Sequence, residues 1–67
     1  MEKFAERLKD LRLEQELSQR QLAKATGLSQ TAIAHWENGK REPSASMVII
    51  LAQFFKVSTD YLLGLED

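Results

Sequence analysis

The sequence predicts an all-α fold, a compact domain of five short helices. Three observations predict it. Apolar side chains recur at the spacing that lines one face of a helix. No stretch alternates apolar with polar residues as a half-buried strand would. Serines and glycines stand where helices would begin and end, with short connections between them.

Phe4, Leu8 and Leu11 form a helical row that Gln15 continues, which predicts a first helix over residues 2–16. Ser18-Gln19-Arg20-Gln21 has the form of a capping box, in which Ser18 caps a second helix and Gln21 reaches back to it. Leu22 and Ala23 form the inner face of that helix. Gly27 can take the left-handed conformation that ends it. Ser29 caps a third helix running to about Asn38, just before Gly39. Pro43 and Ser44 open a fourth, strongly apolar helix through Lys56, with Val48, Leu51, Ala52 and Phe55 as its core stripe. Ser58 caps a short fifth helix, whose first turn holds Asp60 where a negative charge suits the macrodipole; Gly64 ends it.

Sixty-seven residues suffice for one domain over 1–67, with a marginal core. There is no cysteine, so neither a disulfide nor a thiolate metal site can support it. The single histidine, His35, has no partner for a metal, and neither a metal nor a cofactor is expected. Nothing provides the paired carboxylates or Gly-rich frame of an enzyme, so no small-molecule substrate is expected either. The start, Met1-Glu2-Lys3-Phe4, has no signal-peptide stretch. The longest apolar run, Met47 to Ala52, falls far short of the roughly 20 residues that span a bilayer. A cytoplasmic protein without membrane attachment is the expectation.

The net charge is −1, but its distribution is uneven. Between residues 18 and 41, Arg20, Lys24, Lys40 and Arg41 oppose Glu37 alone, whereas both flanks are acidic. A basic island of this kind suits a phosphate backbone.

The third helix has two unlike halves. Stepping about 100° per residue puts Ala32, Ile33, Trp36 and Glu37 on one side and Gln30, Thr31, Ala34 and His35 on the other. The first side is mostly apolar and is expected in the core, Trp36 included. The second side is short and free of carboxylates, where an ordinary solvent face would carry Glu and Lys. Glutamine can pair with an adenine edge, threonine can reach a base or a thymine methyl, and Ala34 leaves room for close approach. The second helix, the short turn at Gly27 and the third helix together have the spacing of a helix-turn-helix, with the small Ala23 where the helices would cross.

Leu17-Ser18-Gln19-Arg20-Gln21-Leu22-Ala23, Gly27-Leu28-Ser29-Gln30, Ile33 and Trp36-Glu37-Asn38-Gly39-Lys40-Arg41 resemble the phage repressor and Cro family, also called Xre-like. Pro43-Ser44 and Val57-Ser58-Thr59-Asp60-Tyr61-Leu62-Leu63 match its usual tail, so the resemblance covers about residues 5–65. It implies a lambda-repressor-like five-helix fold, a homodimer and a palindromic operator of double-stranded DNA. Carried over by position, it implies base contacts from Gln30, Thr31, Ala34 and His35. It implies phosphate contacts from Gln19, Arg20, Asn38, Lys40 and Arg41, and a structural ion pair of Arg12 with Glu37. The sequence departs from the family pattern at Ile50, Phe54 and Glu42.

Two functions remain open at this point. One is a sequence-specific transcription regulator, a repressor first of all. The other is a protein-interaction module, such as an antitoxin, on the same fold. Met47, Ile50 and Phe54 form a second apolar stripe on the fourth helix, which serves either as packing or as a partner surface. Steep salt dependence would mark the DNA binder.

Overall fold

The computed structural model describes residues 1–67 and contains five helices and no strand. They are α1 (Glu2–Glu14), α2 (Gln19–Thr26), α3 (Gln30–Glu37), α4 (Ala45–Phe55) and α5 (Thr59–Leu63). The fold is all-α, as the spacing predicts.

Four serines start four helices. Ser18, Ser29, Ser44 and Ser58 each accept a hydrogen bond from the backbone N–H three residues on, satisfying a donor that the helix itself cannot. At Ser18 the box closes both ways: Gln21 N–H donates to Ser18 Oγ at 3.0 Å, and Ser18 N–H donates to Gln21 Oε1 at 2.8 Å. Such caps are worth about 1 kcal/mol each, a large share for so small a domain.

Two helices stop earlier than the periodicity predicts. The first ends at Glu14, not at residue 16, because Glu16 turns to φ 56° and lets Leu17 N–H reach back to the Arg12 carbonyl at 3.1 Å. Gln15 therefore lies outside the helix and exposed. The fourth ends at Phe55, and Lys56 takes the left-handed cap at φ 58°.

Every helix contributes at least one side chain that loses all contact with solvent: Phe4 and Leu8 from α1, Leu22 from α2, Ile33 from α3, Leu51 from α4 and Leu62 from α5. Trp36 is only 3% exposed and meets Phe4 edge-on, with ring centroids 6.3 Å apart. Burying each large apolar side chain stabilises the fold by roughly 1.5–3 kcal/mol. The far end is closed by Arg7 of α1. Its Nη1 donates to the Tyr61 carbonyl at 2.5 Å and to the Glu66 carbonyl, while its guanidinium lies 4.2 Å from the Tyr61 ring centroid.

The second apolar stripe of α4 divides. Met47 and Phe54 border the core face, and their long side chains pack against it. Phe54 also meets Phe55 edge-on at 5.0 Å. Only Ile50 of the expected trio is exposed, at 38%, and its neighbour Ile49 is exposed at 47%. The free apolar surface of α4 is thus Ile49 with Ile50, not Met47–Ile50–Phe54.

Gly64 has φ +85°, and an added Cβ would come within 2.5 Å of Lys3 Cβ; Gly27 has φ +76° with open space around it. Gly27→Ala should cost about 1–2 kcal/mol from the left-handed backbone alone. Gly64→Ala should cost more, because α1 must also shift. Urea unfolding followed through Trp36 fluorescence measures both. Equal losses would show that the Lys3 contact gives way freely.

Candidate nucleic-acid interface

The outer surface of α3 is set by what its inner surface must do. Ile33 and Trp36 are buried, which fixes the rotation of the helix about its axis. Gln30 and Thr31 are then exposed in its first turn, and Ala34 and His35 are half-buried beside them. The cap at Ser29, closed by Ala32 N–H at 3.1 Å, holds that first turn in shape. The surface has no carboxylate, because the one carboxylate of α3, Glu37, is turned inward with its side chain 3% exposed.

Glu37 is held by a planned set of donors. Arg12 Nε donates to Oε2 at 2.7 Å and Arg12 Nη2 donates to Oε1 at 2.8 Å, a two-pronged pair. The remaining Arg12 nitrogen, Nη1, donates to the Leu17 carbonyl at 2.7 Å in the turn between α1 and α2. Gln19 Nε2 completes the set, donating to Glu37 Oε1 at 3.1 Å. The hydrogen bond to Glu37 is the main reason the Arg12 guanidinium is held even more firmly ionised than usual, against a smaller opposing effect of burial. No buried side-chain nitrogen or oxygen of the molecule lacks a partner.

Gln19, half-buried, differs from the other polar residues expected at phosphates in having a partner inside the domain. Its amide points into the domain because the Glu37 carboxylate has acceptor capacity left beside Arg12. Arg20, Asn38, Lys40 and Arg41 are exposed and lie free of side-chain partners inside the domain. Asn38 is the C-cap of α3, and Lys40 follows the left-handed Gly39 at φ +72°.

Thr31, His35 and Arg41 meet around a shallow concavity of about 430 Å³ between α3 and the start of α4. Ser29, Trp36, Glu42, Ser44 and Met47 line the same hollow. The cap roles of Ser29 and Ser44 are legible in the sequence. Their meeting at one hollow depends on how α4 turns back after Pro43, for which the sequence has no local signal. Arg7 is likewise invisible in advance, since its partners are backbone carbonyls at the opposite end of the chain.

The helix-turn-helix family model matches residues 8–62. The chain belongs to the helix-turn-helix family, in its phage repressor and Cro (Xre-like) branch. The transcriptional activator BcrR of Enterococcus faecalis is 41% identical over 64 residues, covering 96% of this chain. This chain spans only 31% of BcrR. The restriction-modification controller protein C.AhdI from Aeromonas hydrophila superimposes with a TM-score of 0.82 at 33% identity, covering 91% of this chain and 92% of that one. The c2 repressor of phage P22, solved in complex with a synthetic operator, gives 0.83 at 31% identity, covering 92% of this chain and 94% of that one. No helix of the structure is long and apolar enough to cross a membrane.

Removing Arg12 should test the ion pair. Arg12→Met leaves the Glu37 carboxylate buried beside a single amide donor, and the loss should reach about 3–5 kcal/mol. The double variant Arg12→Met/Glu37→Leu should recover much of it, because no charge then stays stranded. Thermal unfolding of the three proteins checks this; a single variant within about 1 kcal/mol of the wild type would mean that water reaches the pair.

Proposed function

We propose that residues 1–67 form the DNA-reading unit of a cytoplasmic transcription regulator, which acts without catalysis by occupying a palindromic operator as a homodimer. One observation carries the reading: α3 presents an outer surface free of carboxylates because Glu37 is folded inward onto Arg12. That surface can approach phosphates without repulsion, although the chain's net charge is −1. The operator bound by the P22 c2 repressor supports the same use of this fold. Repression by occupancy is the simplest mode, and BcrR indicates that a related domain also serves an activator.

In this reading the N-terminal end of α3 enters the major groove. Gln30 projects from its tip, where its amide can donate to and accept from an adenine edge. Thr31 and His35 reach neighbouring base edges, and Ala34 keeps the helix close. Arg20, Asn38, Lys40 and Arg41 hold phosphates on either side and set the register.

Size and surface support the dimer. Half-sites of such motifs lie about 34 Å apart. The domain measures 27 × 24 × 20 Å, so two copies on one face of the duplex come within side-chain reach. Ile49 and Ile50 offer them an apolar contact.

Selection of binding sites from random DNA provides the test. Gln30→Ala should weaken the best site by about 1–3 kcal/mol, relax the preference at one base pair per half-site and leave the salt dependence unchanged. Lys40→Ala should weaken all DNA about equally and lower the salt slope by about one unit. A Gln30→Ala protein with wild-type preference would overturn the assignment of α3 as the reading head. A wild-type chain that selects no DNA would move the function to protein binding on the Ile49–Ile50 face.

A further inference from the structure

We propose that Glu42 is a positioning residue for His35: on DNA its carboxylate keeps the imidazole protonated and turned to the major groove, so that His35 donates to a guanine edge and one proton is taken up as the operator binds. The inference rests on the DNA-reading function proposed above.

The turn after α3 brings the two residues to one place. Gly39, at φ +72°, donates its N–H to the Trp36 carbonyl at 3.1 Å, and the Lys40 N–H donates to the His35 carbonyl at 2.9 Å. These two bonds close a Schellman motif, which folds the chain back at the end of the helix. Arg41 and Glu42 then share the hollow of about 430 Å³ with Thr31 and His35. His35 is half-buried there and Glu42 is exposed, and no ion pair within the domain engages either.

A carboxylate on a surface that meets phosphates is repelled by them unless a cation stands beside it. Two side chains in the hollow can supply that cation, Arg41 and His35. With Arg41 on a phosphate, its charge is neutralised from the DNA side. His35 is left, and imidazole is the side chain that changes charge near neutral pH. Three effects favour its protonated form on DNA. They are the Glu42 carboxylate, the phosphates, and its place in the last turn of α3, where a positive charge suits the macrodipole. Arg41 opposes them. The other charged groups on the surrounding elements stand elsewhere. Glu37 is turned inward onto Arg12, and Arg20 and Lys24 of α2 do not line the hollow. Glu2 and Glu6 of α1 line a separate hollow beside Asn38. Lys40 meets His35 through its backbone N–H, and α4 carries no charged residue.

Protonation also decides what His35 can read. Neutral imidazole has one donor and one acceptor, whereas imidazolium only donates. With one N–H directed to Glu42, the other faces outward as a donor. In the major groove guanine offers two acceptors side by side, N7 and O6, which is why cationic side chains favour it. Cytosine offers a donor there and is rejected.

His35 is the single histidine of the chain, which makes the proton traceable. The bound imidazole keeps its proton to higher pH than the free one. Binding is therefore strongest at low pH and weakens as pH rises through the range in which the bound imidazole titrates. At constant salt, wild-type affinity for the selected operator should fall about fivefold between about pH 6 and pH 8. His35→Gln should abolish this dependence and the guanine preference at one base pair per half-site. Glu42→Gln keeps the size of the side chain and removes its charge. It should flatten the pH profile and relax the same preference, with no loss of affinity for non-specific DNA. Both variants should melt within a few degrees of wild type. In NMR titrations the one imidazole signal should change at higher pH with operator bound than without, and the difference should shrink in Glu42→Gln. If Glu42→Gln binds all DNA more tightly with unchanged base preference and pH profile, the carboxylate only repels phosphates and the proposal is overturned. A pH dependence that survives in His35→Gln would overturn it as well, by placing the proton elsewhere. If the wild type selects an operator and binds it equally at both pH values, this inference alone fails. If the wild type selects no DNA at either pH, the DNA-reading function fails and the inference with it.

Discussion

The pairing of Arg12 with Glu37 is the constraint on which the rest of the molecule depends. It is a long-range link, from the end of α1 to the end of α3, made with the full planar fork of the arginine. A buried pair of this kind is a weak source of net stability, since desolvation opposes the attraction. Its value lies in geometry. Burial of Ile33 and Trp36 sets the rotation of α3 against the core. Two hydrogen bonds at 2.7 and 2.8 Å fix the place of its last residue. The same pairing removes the only negative charge of α3 from its outer surface. One interaction thus settles both where the helix lies and what potential it shows.

That explains how a chain of net charge −1 presents a surface suited to a polyanion. The net charge of the whole says little about a local field, which decays within about a Debye length. The exposed acidic residues are kept to positions 2–16 and 60–67, whereas Arg20, Lys40 and Arg41 remain exposed and unpaired. Glu42 is the exception. It lines the hollow shared by Thr31, His35 and Arg41, and its charge moderates the field there. A weaker general attraction favours discrimination, because non-specific binding is almost wholly electrostatic whereas base reading is not.

The helices were legible in the sequence because each carries its own local signals. Four serine caps, Gly27 and Gly64, and the rows Phe4–Leu8–Leu11 and Val48–Leu51–Ala52–Phe55 all act over a few residues. The misjudged ends have a common cause. Glu16 and Lys56 adopt positive φ, a conformation for which neither residue type gives a warning. The two halves of α3 were also legible, since Ile33 and Trp36 fix the wheel. What the sequence hid is the choice made by side chains that could go either way. Gln19 is polar enough to face a phosphate and long enough to reach Glu37, and only the packed structure shows that it makes the second contact. Phe54 and Met47 have the spacing of a free stripe, yet both lean onto the core and leave Ile49 and Ile50 as the open pair.

That open pair also bears on how two small domains would cooperate. A standard stable interface buries roughly 800 Å² on each partner. Two half-exposed isoleucines fall well short of that, so they supply little affinity between free copies. On a duplex the requirement changes. Two copies seated on adjacent half-sites are already confined together, and the contact between them becomes effectively intramolecular. A modest apolar contact then adds to two separate readings of the DNA and is lost when either reading fails. For the proposed dimer, weakness in solution would therefore serve specificity: a pair that forms firmly only on a matched site couples recognition of one half-site to recognition of the other.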